Sequence, residues 1–230
     1  MSESACQAIA RADCIVGYST YIKLLGSIIS RKEIISSGMT RELERAQKAI
    51  EKARSGEAVC VISSGDPGIY GMAGIILELL QGTDASSIDI EIIPGIISAT
   101  ACAALLGAPL MNDFAAISLS DLLTNWSQIR KRLEAAAGSG FVIVLYNPKS
   151  KSRTKPLVKA WDIIKKYRAP ETPVGIVKNA YRTGEAVRLA CLKDASGVKD
   201  IDMATTIIIG NSNTYIKNGF MITPRGYTFK

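Results

Sequence analysis

The sequence predicts an α/β protein, and three observations carry that reading. Short, β-rich apolar runs recur along the chain, longer helix-period segments separate them, and the apolar runs are continuous rather than alternating. Continuous runs are how strands covered on both faces read, and strand–helix alternation is how a parallel sheet is wound. The strands are predicted at 14–16, 58–63, 88–93, 115–119, 141–146, 174–178 and 205–209, and the helices at 42–54, 70–80, 98–106, 126–137 and 155–167. The stretch 185–192 (EAVRLACL) alternates and reads as an antiparallel strand of the second half.

The Gly107-Ala108-Pro109 break coincides with a swing in charge. Residues 1–125 carry 9 basic and 14 acidic side chains, whereas residues 126–230 carry 19 and 7. A boundary is therefore expected at the break, giving an N-terminal α/β domain over 1–112 and a C-terminal α/β domain over 113–230. The basic second half suits an anionic partner, and equally a soluble surface rich in lysine.

Composition excludes several chemistries. Among 230 residues there is no histidine, so Ser-His-Asp and Cys-His nucleophiles, HExxH zinc sites and imidazole bases are out. The five cysteines form no CxxC pair, no metal site is expected, and a reducing cytoplasm fits them. Residues 92–112 are uncharged, but Pro94-Gly95 and Gly107-Ala108-Pro109 punctuate the run, leaving 96–106 too short to cross a bilayer. No membrane association and no apolar leader are expected.

Four segments could carry chemistry. In Val61-Ile-Ser-Ser-Gly-Asp-Pro-Gly-Ile-Tyr-Gly71 a strand runs into a glycine turn and a helix, with Pro67 suited to the helix's first turn and Asp66 at its N-terminus. Ligands of open α/β sheets bind beyond the carboxyl ends of strands, although an aspartate at that position also serves as an ordinary cap. Ile92-Ile-Pro-Gly-Ile-Ile-Ser-Ala-Thr100 repeats the strand–turn–helix pattern, offering free N–H groups and the Ser98 hydroxyl. Phe141-Val-Ile-Val-Leu-Tyr-Asn-Pro148 ends in a turn followed by eight basic residues and one acid between Lys149 and Arg168. Of these, Lys149, Lys151 and Arg153 lie nearest the strand end and are best placed for an anion. Val174-Gly-Ile-Val-Lys-Asn179 ends a further core strand at Lys178.

Together SSGDPGIYG, IIPGIISA, DFAAISLSDLLTNW, VLYNPKSKSR, VGIVKNAYR and TTIIIGNSNTY resemble the tetrapyrrole (precorrin) methylase family of cobalamin biosynthesis, from about residue 4 to residue 227. ISLSDLLT and LYNPKS are most similar to the branch that methylates C17 of precorrin-3B or cobalt-factor III. The resemblance implies two α/β domains of a non-Rossmann, S-adenosylmethionine-dependent type, with the active site in the cleft between them, and a cytoplasmic homodimer. Carried over by motif, Ser64, Gly65, Asp66, Ile69, Ile97, Ser98, Asn147 and Ala180 would bind the cofactor S-adenosylmethionine. Ser118, Ser120, Lys149 and Lys178 would meet an anionic tetrapyrrole, and Asp66, Tyr146 and Asp121 are the candidates for the catalytic proton work of methylation with ring contraction. Many relatives carry Thr or Ser where Ile97 stands, which leaves backbone contacts there. Relatives open with a β-strand and a GxGPG loop that this sequence lacks, so it is expected to begin late and to bind less well. An RNA-directed member of the same fold would also use a basic half, but the ISLSDLLT and LYNP blocks speak against nucleic acid.

Overall fold

In the computed structural model, which describes residues 1–81 and 88–228, the first helix starts where a side chain can cap it. Helix α1 (Glu3–Arg11) has Ser2 at its N-cap, accepting from the Ala5 N–H at 3.3 Å. At its other end the Lys32 ammonium donates to the carbonyls of Ala10 (2.8 Å) and Ala12 (2.6 Å), which no helical N–H reaches. There follow β1 (Cys14–Tyr18), α2 (Ser19–Leu25), a 3₁₀ turn (Gly26–Ile29), β2 (Glu33–Ser37), α3 (Glu42–Arg54), β3 (Val59–Ile62) and α4 (Ala73–Gln81). β1 is the central strand of a three-stranded parallel sheet in the order β2-β1-β3.

Because successive side chains of a strand face opposite ways, β1 feeds two cores. Ile15 packs with Ile9, Ala12 and Ile22 on one side, while Cys14 and Val16 pack with Ala49 of α3 on the other. Helix α3 has Glu42 and Glu44 in its first turn and Lys52 and Arg54 in its last, as its dipole favours. Its Arg45 is buried, donating to Ser37 Oγ (2.9 Å) and the Gly38 carbonyl (2.7 Å) and pairing with Glu42 (3.2 Å).

Two expectations fail in this half. The helix read at 70–80 begins at Ala73, and residues 64–72 are bends and turns, so neither Pro67 nor Asp66 stands at a helix start. The strand read at 88–93 does not form: residues 88–97 make no ladder, and Ile90, Ile92 and Ile96 are exposed. β3 pairs with β1 alone among the described residues, and the apolar segment adds no strand to its other edge.

The second set of elements is α5 (Ser98–Leu106), β4 (Gly107–Ala108), β5 (Phe114–Ser118), α6 (Trp126–Gly138), β6 (Val142–Tyr146), α7 (Lys155–Ile164), β7 (Pro173–Lys178), β8 (Ala186–Cys191), α8 (Leu192–Ala195), β9 (Thr205–Ile209), β10 (Tyr215–Lys217) and β11 (Phe220–Ile222). Five strands make one sheet in the order β5-β6-β9-β7-β8. Only β5 and β6 pair in parallel; β9 enters antiparallel between β6 and β7, and β8 is antiparallel to β7. The alternating segment is thus an antiparallel edge strand, as its pattern indicates, but the sheet is mixed rather than parallel. Continuous apolar runs report burial on both faces, not strand direction. One face packs Ile143, Leu145, Ile207 and Ile209 against Ile129 and Leu133 of α6 and Ala160, Trp161 and Ile164 of α7. On the other face α5 packs on β9, β7 and β8. Gly175 leaves room for Leu106 there; a Cβ on that glycine would run into the leucine side chain.

The chain divides into two compact units, Met1–Ile97 and Ser98–Lys230. The division therefore precedes α5 instead of falling at 112/113. The reason is packing: α5 buries Ala99, Cys102, Ala103 and Leu106, and the strands it covers are all of the second set. No described helix is long and apolar enough to cross a membrane.

Candidate active site

In the first unit the chain turns sharply after β3. Gly65 adopts a φ of +75°, open to glycine at little cost. Asp66 then uses both carboxylate oxygens on backbone N–H groups: Oδ1 accepts from Gly68 at 2.8 Å and Oδ2 from Gly95 at 3.0 Å. The first bond closes an Asx turn; the second ties this turn to the irregular segment at Pro94-Gly95. The two approach so closely that a Cβ on Gly95 would collide with the Gly65 carbonyl. The Gly95 bond, and then the Gly68 bond, hold the Asp66 carboxyl below the usual carboxylate range. Ser63 Oγ accepts from the Met72 N–H at 3.0 Å, fixing the far side of the loop. Ser64 is partly buried, Ile69 is 41% exposed, and Ile97 closes the unit half-buried.

In the second unit the topology collects the other candidates on one sheet edge. The carboxyl ends of β5, β6 and β7 share that edge with the start of β9, since β9 runs opposite to β6 and β7. Helix α5 begins there too. Thr206 Oγ1 donates to Ser98 Oγ at 3.1 Å, and the Ala99 N–H donates to the Tyr146 hydroxyl oxygen at 3.0 Å. Tyr146 thus satisfies one of the free N–H groups at the start of α5, a role the sequence did not suggest. Asn147 sits at φ +51°, a conformation asparagine tolerates, and its Nδ2 donates to Ser118 Oγ at 3.0 Å. Ser118 Oγ also accepts from the Ser120 N–H at 3.2 Å, so this one hydroxyl joins the ends of β5 and β6. Ala180 lies between Asn179 (φ +51°) and Tyr181 (φ +55°), in the turn that follows β7.

The basic candidates differ. Lys178 at the end of β7 is 2.6 Å from Asp200 Oδ1 and 2.9 Å from Asp202 Oδ2, so its charge is taken up by two carboxylates of the loop before β9. Those contacts, Asp200's first, raise its pKa. Lys149 is half-buried and makes no ion pair among the described residues. Asp121 is exposed, 4.0 Å from Arg153 Nε. The partners Thr206, Asp200 and Asp202 were missed by sequence reading, because each meets its residue only through strand pairing.

Residues 1–196 match the family model described as Tetrapyrrole (Corrin/Porphyrin) Methylases. The chain belongs to the tetrapyrrole methylases. It is 49% identical over its whole length to a Priestia megaterium protein named "Cobalt-factor III methyltransferase", and spans 43% of that longer protein. It is 47% identical to a Salmonella typhimurium protein named "Probable cobalt-factor III C(17)-methyltransferase", over 99% of this chain and 94% of the relative. Among solved structures, the methyltransferase CobJ superposes with a TM-score of 0.90 at 32% identity, covering 97% of this chain and 93% of CobJ. A uroporphyrin-III C-methyltransferase of Thermus thermophilus, complexed with S-adenosylhomocysteine, superposes at 0.67 with 19% identity over 91% of this chain and 90% of that one, which shows the common fold. In this methylase, then, the turns after β3 and the carboxyl ends of β5, β6 and β7 lie within the residues that the family model matches.

Proposed function

We propose that this tetrapyrrole methylase transfers a methyl group to C17 of a precorrin-3B or cobalt-factor III type ring in cobalamin biosynthesis. The observation that carries the reading is the near full-length match, in both directions, to the Salmonella relative. The methyl donor is S-adenosylmethionine, which when bound supplies an electrophilic methyl on an already activated sulfonium. The donor set suits such a ligand. The first unit offers backbone groups of tight glycine turns and one carboxylate kept ionised by two N–H bonds, which is compatible with a ligand carrying a cation. Ser64, Gly65, Asp66, Ile69 and Ile97 are the cofactor candidates there, and Ser98, Asn147 and Ala180 those of the second unit.

No histidine, metal ligand set or nucleophilic side chain is needed by this chemistry. What the residues contribute is placement, and well-arranged reactants gain on the order of 7–11 kcal/mol from orientation. Ser118, Ser120 and Lys149 at the strand-end edge are the candidates to hold the ring, whose acetate and propionate arms make it anionic. The excess of basic residues beyond residue 125 attracts such a substrate over distance. An ionised Asp66 accepts hydrogen bonds but donates no proton at neutral pH. For the proton steps of ring contraction Asp66 is thus a candidate acceptor, beside Tyr146, Asp121 and water. A homodimer acting in a reducing cytoplasm completes the proposal; light scattering reads the first, and five free cysteines accord with the second. The deciding experiment incubates the protein with S-adenosylmethionine and, separately, precorrin-3B and cobalt-factor III, followed by mass and absorbance. A gain of one methyl with loss of the starting chromophore is expected with one ring. No gain with either overturns the reading.

A further inference from the structure

Arg153, in the basic 149–168 stretch, spreads its guanidinium over several chain segments. Its side chain is 11% exposed. Nη1 donates to the Leu119 carbonyl at 2.7 Å, just beyond β5, and Nη2 to the Asn147 carbonyl at 2.9 Å, just beyond β6. Nη2 also lies 3.4 Å from Met203 Sδ, in the loop before β9, and Nε faces Asp121 at 4.0 Å. A local turn presents it: the Ser150 N–H donates to the Arg153 carbonyl at 3.0 Å, and the Arg153 N–H donates to Ser150 Oγ at 3.1 Å. The planar fork therefore adds to the links between two loops that are also joined by the Leu119 N–H to the Tyr146 carbonyl (2.9 Å) and by Asn147 Nδ2 to Ser118 Oγ (3.0 Å).

We infer that Arg153 is a positioning residue that couples ring binding to cofactor binding. This rests on the functional reading above, in which the loop after β5 meets the ring and Asn147 meets the cofactor. In this proposal Arg153 acts through the two loops it binds, rather than as the anion contact that its place after β6 suggested. It ties the Leu119–Asp121 segment to the Asn147 turn, so ordering one loop orders the other, and each ligand binds more tightly once its companion is present. Reciprocity requires that the two enhancements be equal. Neutral carbonyls at both ends explain why an arginine stands here: a lysine ammonium is a single point on a flexible stem and does not hold both oxygens in one plane.

The test measures, by calorimetry, the affinity for cobalt-factor III with and without saturating S-adenosylhomocysteine, and the converse. The wild-type protein is expected to show mutual enhancement in the usual range of about 5–150-fold. In Arg153→Lys the enhancement falls to within about twofold, while each ligand binding alone changes by less than about threefold. Should Arg153→Ala fold, millimolar guanidinium is expected to restore part of the enhancement. If it does not fold, the lysine variant carries the result. Enhancement retained in Arg153→Lys overturns the inference, as does a wild-type protein that binds both ligands without mutual effect. A wild-type protein that binds neither ligand overturns the functional reading itself.

Discussion

Asp66 and Gly95, 29 residues apart, are joined by a 3.0 Å bond from the glycine N–H to the aspartate Oδ2. This bond and its companion from Gly68 lower the Asp66 pKa, so they stabilise the fold only while the carboxylate is ionised. The native pKa is the depressed one; hence the stabilisation is complete above the unfolded value of about 3.9 and is lost as pH falls through the lower native value. Asp66→Asn is expected to melt lower than wild type at pH 7. The difference should shrink as pH falls below about 4, and a gap independent of pH in calorimetric melts counts against this account.

Gly95 has no room for a side chain against the Gly65 carbonyl. Gly95→Ala must part the two segments or strain them by about 1–3 kcal/mol. S-adenosylhomocysteine affinity, read by calorimetry, is expected to drop roughly tenfold or more. An alanine variant that binds as wild type would show that these segments do not shape the cofactor site.

Tyr146 accepts the Ala99 N–H at the start of α5. Tyr146→Phe removes that acceptor at a cost of about 1 kcal/mol, or roughly 2–4 °C in a chain of this size. If the hydroxyl only caps the helix, kcat stays within about tenfold of wild type. A fall beyond roughly a hundredfold with the same shift in melting makes it a proton carrier, since general acid–base catalysis contributes about 10²–10⁴-fold.

Lys149 and Lys178 are expected to behave differently although one closely follows a core strand and the other ends one. Lys178 is held by Asp200 and Asp202, so Lys178→Met leaves two carboxylates without their cation and lowers the melting temperature while changing ring KM by less than about twofold. Lys149→Met should raise ring KM several-fold with melting unchanged. Added salt is expected to weaken ring binding more than cofactor binding, because only the ring is strongly anionic. Equal salt sensitivity of the two affinities argues against steering by the basic half.

Much of the candidate site was legible because turn chemistry is local. SSGDPG announces a tight turn by its glycines and proline, and the chain bends and turns there; IIPGI carries the same signal, but residues 91–97 are irregular. Their lock was not legible, since it needs Asp66 and Gly95 brought together by folding. The Asn218-Gly219 hairpin between β10 and β11, with both residues at positive φ, carried a readable signal in KNGF that went unused. Lys178 shows the opposite limit: a lysine at a strand end reads as a free cation until the neighbouring strand brings its aspartates.

The sequence by itself determined the α/β class, the turns that end β3 and β6, the absence of imidazole chemistry and, through its motifs, the methylase family. These follow from hydrophobic period, turn residues and residue types, all properties of short windows. Only the tertiary structure decided that β9 runs antiparallel between β6 and β7, that 88–97 lacks a strand, and that α5 joins the second unit. It also decided which charges remain free at the strand ends. Each of these depends on which distant segment supplies the partner for a backbone group, an apolar face or a charge.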